Sequence, residues 1–306
     1  MNTRKIPNIN FMGVFPIAVF ISTLLIVGSI YLFISQGETK YGIDFTGGHE
    51  VLVSVDEQTN SDQIRSAVVA AGFENAVVQA FEGGGSEFLI RVEGEQSDTE
   101  ALKQKLVSAI KAKFSKEVTV KRQDFIGPTV GQELRKSALI AIIVSLLGLL
   151  AYITFRFEMA FAMGAIVALF HDVIVATGLY LLMGQTFSMG AVAAALTIVG
   201  YSINDTIVIF DKIREEIFHS KNYDLKQIMN RSINAMLSRT IITHVLTFFS
   251  AAALYFYGGG AISDLSLYLL AGIICGSYST MYIACPVVLL WHRFRGGQVT
   301  EMVTAK

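Results

Sequence analysis

The sequence predicts an α-helical polytopic membrane protein that carries one small α+β domain outside the bilayer. Of its 306 residues, 53% are hydrophobic and 16% are charged, whereas about a quarter are charged in a typical soluble domain. Six long apolar runs are separated by polar connections, and the polar stretch 35–133 follows the first run. These observations exclude an ordinary soluble globular protein.

The six apolar runs are long enough to be transmembrane helices. They cover residues 11–34, 137–155, 159–183, 187–210, 240–257 and 265–291, and a helix needs about 20 apolar residues to cross a bilayer. The first run is too long for the core of a signal peptide and ends without a small-residue cleavage site. We therefore expect an uncleaved first helix at 11–34 and five more within 134–292.

The polar stretch 35–133 has the pattern of a ferredoxin-like domain. Strand-like segments lie at 49–55, 76–81, 87–92 and 117–126, and helical segments lie at 61–72 and 99–114. The resulting order, βαββαβ, is the ferredoxin-like arrangement.

Lys and Arg residues predict which side of the membrane each connection occupies. They cluster in 1–10, 211–238 and 293–306, and they are absent from the short connections 184–186 and 258–264. Because cytoplasmic loops carry the excess of Lys and Arg, both termini and the segment 211–238 are predicted to be cytoplasmic. The domain 35–133 is then extracytoplasmic, and the protein is a multi-pass protein of the cell's cytoplasmic (inner) membrane.

The composition also argues against several classes of function. The sequence has no zinc-binding pattern, phosphate loop or dinucleotide fingerprint. Cys275 and Cys285 lie ten residues apart in one apolar helix, too far for a disulfide. With 24 Lys and Arg against 25 Asp and Glu, nucleic acid is not an expected partner. We expect no catalytic nucleophile, metal or cofactor, and no enzymatic activity.

Asp205 is the residue that most requires a functional explanation. It lies with Asn204 in the apolar segment 199–216, VGYSINDTIVIFDKIREE, on a helix face that also carries Tyr201. Ionisable residues within a membrane helix are costly and are functional hypotheses by default. The alternative is a carboxylate close enough to the interface to stay hydrated. Asp211, at the end of the apolar run, is interpreted as a solvated helix-end charge.

Asp172 is a second intramembrane carboxylate. It follows His171 and shares one helix face with Gly164, Ala168 and Ala176, small residues that allow helices to approach closely. Asp172 should therefore face protein. It is either a proton-coupling residue or a structural acceptor for hydroxyls of neighbouring helices. His171 by itself is more typical of a structural histidine.

Arg239 begins a polar stripe on the fifth helix, formed with Thr243, Thr247 and Ser250. Arg239 and Asp205 both lie toward the cytoplasmic side, so an ion pair between them would allow each to tolerate the apolar surroundings. The alternative is that Arg239 is an ordinary positive-inside anchor. Asn204 and Thr243 are the expected supporting residues of this site.

Glycine-bearing segments mark both junctions between the domain and the helices. Gly47 and Gly48 lie at the entry, and Gly127, Pro128 and Gly131 lie at the exit. Glycine permits unusual backbone angles and proline stiffens the chain. The segments are either hinges or plain turns.

The motifs together resemble a known family. They are YGIDFTGGHEV after the first helix, FIGPTVG before the second, the pair His171-Asp172, VGYSINDTIVIFDKIREE, and LSRTIITH at 237–244. In this order they closely resemble the SecF proteins of the SecD/SecF family, which are protein-export components related to RND-type proton-driven transporters.

The resemblance implies a six-helix RND-type half that pairs with a SecD-like subunit. It implies an auxiliary role at the SecYEG translocon, where the proton-motive force assists export of an unfolded preprotein. The family's intramembrane charged residues correspond to Asp205 and Arg239, with Asp172 as a further candidate. Two alternatives remain open: a scaffold subunit that transduces nothing, and a half-transporter for another substrate.

Overall fold

The structure is a computed structural model, and it describes residues 9–55, 59–74, 76–81, 87–92, 99–114, 117–220 and 224–295. The chain divides into two compact units. One is helical and comprises the described parts of 1–35, 142–183 and 190–306; the other comprises those of 36–141 and 184–189.

The described elements follow the predicted order. They are α1 (Phe11–Ser35), α2 (Ile43–Thr46), β1 (Gly48–Val55), α3 (Ser61–Ala70), β2 (Val77–Phe81), β3 (Glu87–Val92), α4 (Thr99–Phe114), β4 (Val118–Ile126), α5 (Pro128–Arg156), α6 (Met159–Leu182), α7 (Met189–His219), α8 (Leu225–Tyr257), α9 (Gly260–Ser279), a π-turn (Thr280–Ala284) and α10 (Cys285–Arg295).

Six helices of the described chain are long and apolar enough to cross a membrane, so the predicted fold class is confirmed. They are α1, α5, α6, α7, α8 and the continuous last helix Ile262–Phe294, which includes the π-turn. The cytoplasmic or extracytoplasmic location of each connection stays a prediction.

Two helices extend well beyond their apolar runs, into the segment 211–238 that was predicted only as polar. α7 continues to His219, and Lys212 within it pairs with Glu215 at 2.9 Å and Glu216 at 3.1 Å. Such pairs one turn apart stabilise a helix, and Ile213 and Ile217 of the same segment are buried in the helical core. α8 begins at Leu225, where the Asp224 carboxylate caps it by accepting a hydrogen bond from the Lys226 amide at 3.1 Å.

The start of α1 is held by two asparagines of α8. Asn234 accepts a hydrogen bond from the Ile9 amide at 2.9 Å and donates to the Ile9 carbonyl at 2.8 Å. Asn230 accepts from the Met12 amide at 2.9 Å. The first amides of a helix have no partner within it, so these side chains serve as its cap.

The second unit is built on a four-stranded antiparallel sheet in the order β2-β3-β1-β4, which confirms the ferredoxin-like prediction. Residues on one face of the strands alternate into the core, where Val51, Val53 and Ile90 are fully buried against Ile64 of α3 and Leu106 of α4. This period-two burial is what a sheet covered on one face by helices requires.

An ion-pair cluster lies across the strands on the sheet. Glu50, 9% exposed, binds Arg91 at 2.9 Å and Arg122 at 2.7 Å, and Arg122 also binds Asp124 at 2.6 Å. Burial by itself would lower the pKa of the Arg122 guanidinium, but the carboxylates of Asp124 and Glu50 raise it above its ordinary value.

Candidate intramembrane carboxylate site

Asp172 lies on the most closely packed face of α6. Its side chain is 1% exposed, and Ala168 and Ala176 on the same face are also buried. On α9, a Cβ atom added at Gly276 would lie 3.7 Å from Asp172 Oδ2. The prediction that Asp172 faces protein is confirmed.

Both carboxylate oxygens of Asp172 have hydrogen-bond partners. Oδ2 accepts from Ser202 Oγ of α7 at 2.5 Å and from Ser279 Oγ of α9 at 2.8 Å. Oδ1 lies 2.9 Å from His171 Nδ1. Asp172 therefore joins three helices through one buried side chain. The Asp172 centre denotes these four residues together with Tyr278.

His171 extends this centre toward α1. Its Nε2 lies 2.8 Å from the Tyr278 hydroxyl, and the two rings meet edge to face at 5.3 Å. The Ser22 hydroxyl of α1 donates to Tyr278 at 3.5 Å. A neutral imidazole that donates from Nδ1 to Asp172 accepts at Nε2, which fits a Tyr278 hydroxyl that donates. The interpretation of His171 as a satisfied structural histidine agrees with these contacts.

Asp205 of α7 has far fewer partners. Its Oδ1 accepts one hydrogen bond, from Thr240 Oγ1 of α8 at 3.1 Å. Its Oδ2 is buried and makes no hydrogen bond with any described residue. A buried polar atom without a partner costs about 1–3 kcal/mol of stability. A proton on Asp205, or a further hydrogen-bond donor beside it, would remove that cost. The Asp205 centre denotes Asp205, Thr240, His244 and Tyr201.

His244 lies next to this carboxylate on α8. Its Nδ1 lies 2.8 Å from the Thr240 carbonyl, and its Nε2 is buried without a partner among the described residues. The Tyr201 ring packs edge to face on the imidazole at 5.3 Å, and its hydroxyl donates to Thr247 at 3.1 Å. Asp205 and His244 each keep one unsatisfied atom in the same part of the bundle.

The expected ion pair between Asp205 and Arg239 is not formed. Thr240, rather than Arg239, faces Asp205, and among the described residues no ion pair links the two charges. Consecutive helix residues point about 100° apart, so the buried position goes to Thr240 and Arg239 is exposed. Sequence reasoning placed the two charges at the same depth and could not set the rotation of α8.

The two supporting residues also face outward. Thr243 is exposed and its hydroxyl donates to the Arg239 carbonyl of its own helix at 2.9 Å. Thr247 and Ser250 likewise bond to carbonyls one turn back, at 2.9 and 3.0 Å. Asn204 on α7 is exposed as well. Three members of the predicted polar stripe, Arg239, Thr243 and Ser250, thus lie on the outside of this chain, whereas Thr247 is half-buried against Tyr201 of α7.

Sequence reasoning missed five polar residues of the two centres: Ser202, Thr240, His244, Tyr278 and Ser279. Each is a polar residue inside an otherwise apolar helix, and Ser202 lies one turn before Asp205. That signal was available, but the residues' contacts depend on how the helices are rotated. The described residues contain no group of three or more His, Cys, Asp or Glu side chains that could hold a metal ion.

The glycine-bearing junctions pack on each other within the second unit. Gly47 and Gly48 have φ angles of 76° and 113°. A Cβ atom at Gly47 would lie 3.0 Å from Pro128 Cα, and one at Gly131 would lie 3.1 Å from the Gly47 nitrogen. Only glycine fits this close backbone approach. Gly127 immediately precedes Pro128, which begins α5. Whether the segments act as hinges stays a prediction.

The acidic residue of the first glycine-bearing motif has a separate role. Asp44 Oδ2 accepts a hydrogen bond from the Met189 amide at 2.7 Å, and Met189 is the first residue of α7. A carboxylate at a helix N-terminus satisfies a free amide and favours the helix dipole.

Comparison with known proteins gives consistent matches. Residues 106–294 match the family described as "Protein export membrane protein SecD/SecF, C-terminal". The protein translocase subunit SecF of Pseudomonas aeruginosa is 38% identical over 94% of this chain and 92% of its own length. The corresponding subunit of Calditerrivibrio nitroreducens is 39% identical over 92% of this chain and 94% of its own length.

Longer proteins match as well. The protein translocase subunit SecDF of Brucella abortus is 34% identical over 93% of this chain, which is 37% of that protein. The crystal structure of SecDF, a translocon-associated membrane protein from Thermus thermophilus, matches with a TM-score of 0.82 and 34% identity. The match covers 94% of this chain and 39% of the SecDF chain, so this chain spans less than half of the longer protein.

Proposed function

Because the chain belongs to the SecD/SecF family of protein-export membrane proteins, we propose that it is the SecF subunit of a SecD–SecF complex that uses the proton-motive force to assist protein translocation. The translocon is SecYEG and the substrate is an unfolded preprotein. The complex lies in the cytoplasmic membrane, with both termini of this chain on the cytoplasmic side. The names of the relatives support this role, and it requires no covalent chemistry from this chain.

The SecD-like partner is supported by two observations. A single protein, the SecDF of Brucella abortus, contains a region similar to this whole chain within a much longer sequence. In addition, the outer face of α8 carries Arg239, Thr243 and Ser250, all exposed in this chain. Ionisable side chains in membrane helices almost always face protein or a watery cavity, so for Arg239 a neighbouring set of helices accounts for this face.

The observation that carries the proposal is the half-satisfied carboxylate of Asp205. Its Oδ2 has no hydrogen-bond partner among the described residues, and it lies inside a membrane-crossing helix. When Asp205 binds a proton, it gains a donor and the balance of hydrogen bonds with Thr240 and its neighbours changes. When Asp205 releases the proton, the charge requires a partner, and Arg239, which directly precedes Thr240 on α8, is the candidate. Asp172 assists by holding α7 in register.

A change in helix packing must reach the extracytoplasmic domain to act on the preprotein. In this proposal the paired segments Gly47–Gly48 and Gly127–Gly131 carry it, since they connect the domain to α1 and α5 along the chain. Because the backbones of the two segments pack closely against each other, we expect them to move together rather than as two independent turns.

The test is Asp205→Asn in the full complex. We expect it to abolish the part of preprotein export that depends on an imposed proton gradient in inverted membrane vesicles, because the amide cannot exchange a proton. Abundance should stay the same, since the amide oxygen still accepts from Thr240. Asp211→Asn is the matched control, because Asp211 lies on the same helix with an exposed side chain at 3.4 Å from Arg156.

The same experiment distinguishes this proposal from the alternative of a scaffold subunit that transduces nothing. A scaffold predicts that Asp205→Asn lowers the amount of assembled complex and leaves the proton dependence of the remaining export intact. Unchanged proton-dependent export at unchanged abundance would contradict the proposed role of Asp205.

A further inference from the structure

The last membrane helix is interrupted by a π-turn in its middle. Between α9 and α10, residues Thr280–Ala284 form a π-helix, in which the Cys285 amide bonds to the Thr280 carbonyl five residues earlier. Such turns are rare and are frequently found at functional sites.

The sequence explains why the helix widens here. Pro286 follows directly; its ring lacks an amide hydrogen and clashes with the carbonyl four residues earlier in a regular helix, which is that of Tyr282. One extra residue in the turn relieves that clash. The π-turn therefore has a local cause and does not depend on the charged centres beside it.

The π-turn places two adjacent hydroxyls against two different partners. Ser279 donates to Asp172 at 2.8 Å, and Thr280 Oγ1 lies 2.9 Å from Thr206 Oγ1 of α7. Both Ser279 and Thr280 are fully buried. Thr206 is the residue directly after Asp205. The junction of α9 and the π-turn therefore contacts α7 next to Asp205, through Thr280, and α6 at Asp172, through Ser279.

A second connection between Asp172 and Thr206 runs along α7. Ser202 donates to Asp172 at 2.5 Å, and Thr206 donates to the Ser202 carbonyl at 3.2 Å. A hydroxyl has one proton to donate; if Thr206 uses it on Ser202, the proton between the two threonines comes from Thr280. The Asp172 centre is thus connected to the residue next to Asp205 in two ways, through Ser202 and its carbonyl on α7 and through the adjacent residues Ser279 and Thr280.

We propose that Thr280 and Ser279 are positioning residues that transmit a change at Asp205 to the Asp172 centre through the π-turn. This inference rests on the proposed function. When the hydrogen bonds of Asp205 change, α7 moves, and Thr206 moves with it. The Thr206–Thr280 contact shifts the π-turn, which is already wider than a regular helix because the Cys285 amide bonds five residues back. Ser279 and Tyr278 then pass the shift to Asp172 and His171, and so to α6 and α1.

The experiment compares Thr280→Val with Thr280→Ser in the full SecD-containing complex. Valine keeps the shape and removes the hydroxyl; serine keeps the hydroxyl. We expect Thr280→Val to reduce proton-gradient-stimulated export about five-fold, the change in an equilibrium that follows from one lost hydrogen bond. Thr280→Ser should restore stimulation to near the wild-type value. A merely structural role would lower the amount of assembled complex in Thr280→Val and leave the stimulation per complex unchanged.

Thr206→Val provides a second arm. If Thr206 and Thr280 act through one contact, the double valine variant should lose no more stimulation than either single variant. Equal stimulation in Thr280→Val and wild type, or equal loss in the Ser and Val variants, would overturn the inference. Abundance is measured for each variant, so that stimulation is compared per assembled complex.

The Asp205→Asn variant, assayed alongside, distinguishes failure of the π-turn inference from failure of the proposed function. Loss of stimulation in Asp205→Asn but not in Thr280→Val rejects the π-turn inference alone. Full stimulation in Asp205→Asn rejects the proposed function and the inference with it.

Discussion

Asp172 and Asp205 lie in neighbouring helices of one bundle, but their surroundings differ in the number of donors that reach them. Three side chains contact the Asp172 carboxylate, and both of its oxygens are used. Among the described residues, one side chain donates a hydrogen bond to Asp205, and the second carboxylate oxygen has no hydrogen-bond partner. A satisfied buried carboxylate stabilises the packing around it, whereas a half-satisfied one is open to change.

The helices around the two centres also differ in how much of their surface is buried within this chain. Of the most apolar stretch of α6, which carries Asp172, 61% is buried within this chain, against 17% for α8, which faces Asp205. The Asp172 centre is therefore complete within this chain. The Asp205 centre lies beside a helix whose outer face is left for other contacts, which is where we expect the SecD-like subunit.

The strongest test of this comparison is to truncate both carboxylates. We expect Asp172→Ala to destabilise the protein by at least about 3 kcal/mol, because three buried groups lose their partner at about 1–3 kcal/mol each. Asp205→Ala should cost about 1 kcal/mol or less, since it also removes an unsatisfied oxygen. Thermal unfolding of the purified complex in mild detergent measures both. Similar losses for the two variants would show that the difference in hydrogen bonding does not set stability.

Glycine substitutions on α9 test how tightly the helices pack near the Asp172 centre. A Cβ atom at Gly272 would lie 1.9 Å from Ile198 Cδ1, whereas at Gly276 the nearest atom is Ser202 Cβ at 3.5 Å. We expect Gly272→Ala to cost about 1–3 kcal/mol by overpacking and Gly276→Ala to change the unfolding midpoint little. The reverse order would mean that α7 and α9 can separate near Ile198 more easily than near Ser202.

The smallest expected effect concerns two threonines one turn apart on α8. Thr240, 2% exposed, donates to Asp205, while exposed Thr243 bonds only to its own helix. Thr240→Val should lower stability by about 1 kcal/mol, the net value of a typical hydrogen bond, and should weaken proton-stimulated export. Thr243→Val should leave the unfolding midpoint of the isolated chain unchanged, and it should not change export by the complex. A change in export or in the unfolding midpoint of the complex, with the isolated chain unaffected, would place that residue against the partner.

Several features of the fold follow directly from local patterns in the sequence. Apolar runs of membrane length predicted six helices, and alternation between strand and helix patterns predicted the βαββαβ order, because both signals come from residues close together in the chain. The helical extensions from 211 to 219 and from 225 onward were missed. They carry apolar residues at helical spacing, such as Ile213, Ile217 and Ile233, which are buried in the helical core. The many charged residues between them hid this period, and the Lys212–Glu216 ion pair and the Asp224 cap add to the stability of these helix segments.

In the candidate site, too, features of a single helix could be predicted from the sequence, whereas contacts between helices could not. The sequence by itself singled out Asp205 and Asp172, since a carboxylate in an apolar helix is conspicuous whatever surrounds it. It also predicted that Asp172 faces protein, because a stripe of small residues is a property of one helix. It also singled out Arg239 at the same depth as Asp205, but which of Arg239 and Thr240 faces Asp205 depends on the rotation of α8 against α7.

Only the tertiary structure decided which donors each carboxylate receives. Ser202, Ser279 and Thr280 look like scattered polar residues in the sequence, and their contacts with Asp172 and Thr206 depend on how α7 and the last helix are rotated. Contacts between helices distant in sequence are set by helix rotation, spacing and one π-turn. None of these quantities is encoded by the period of a single segment, so the roles of the two carboxylates became distinguishable only in three dimensions.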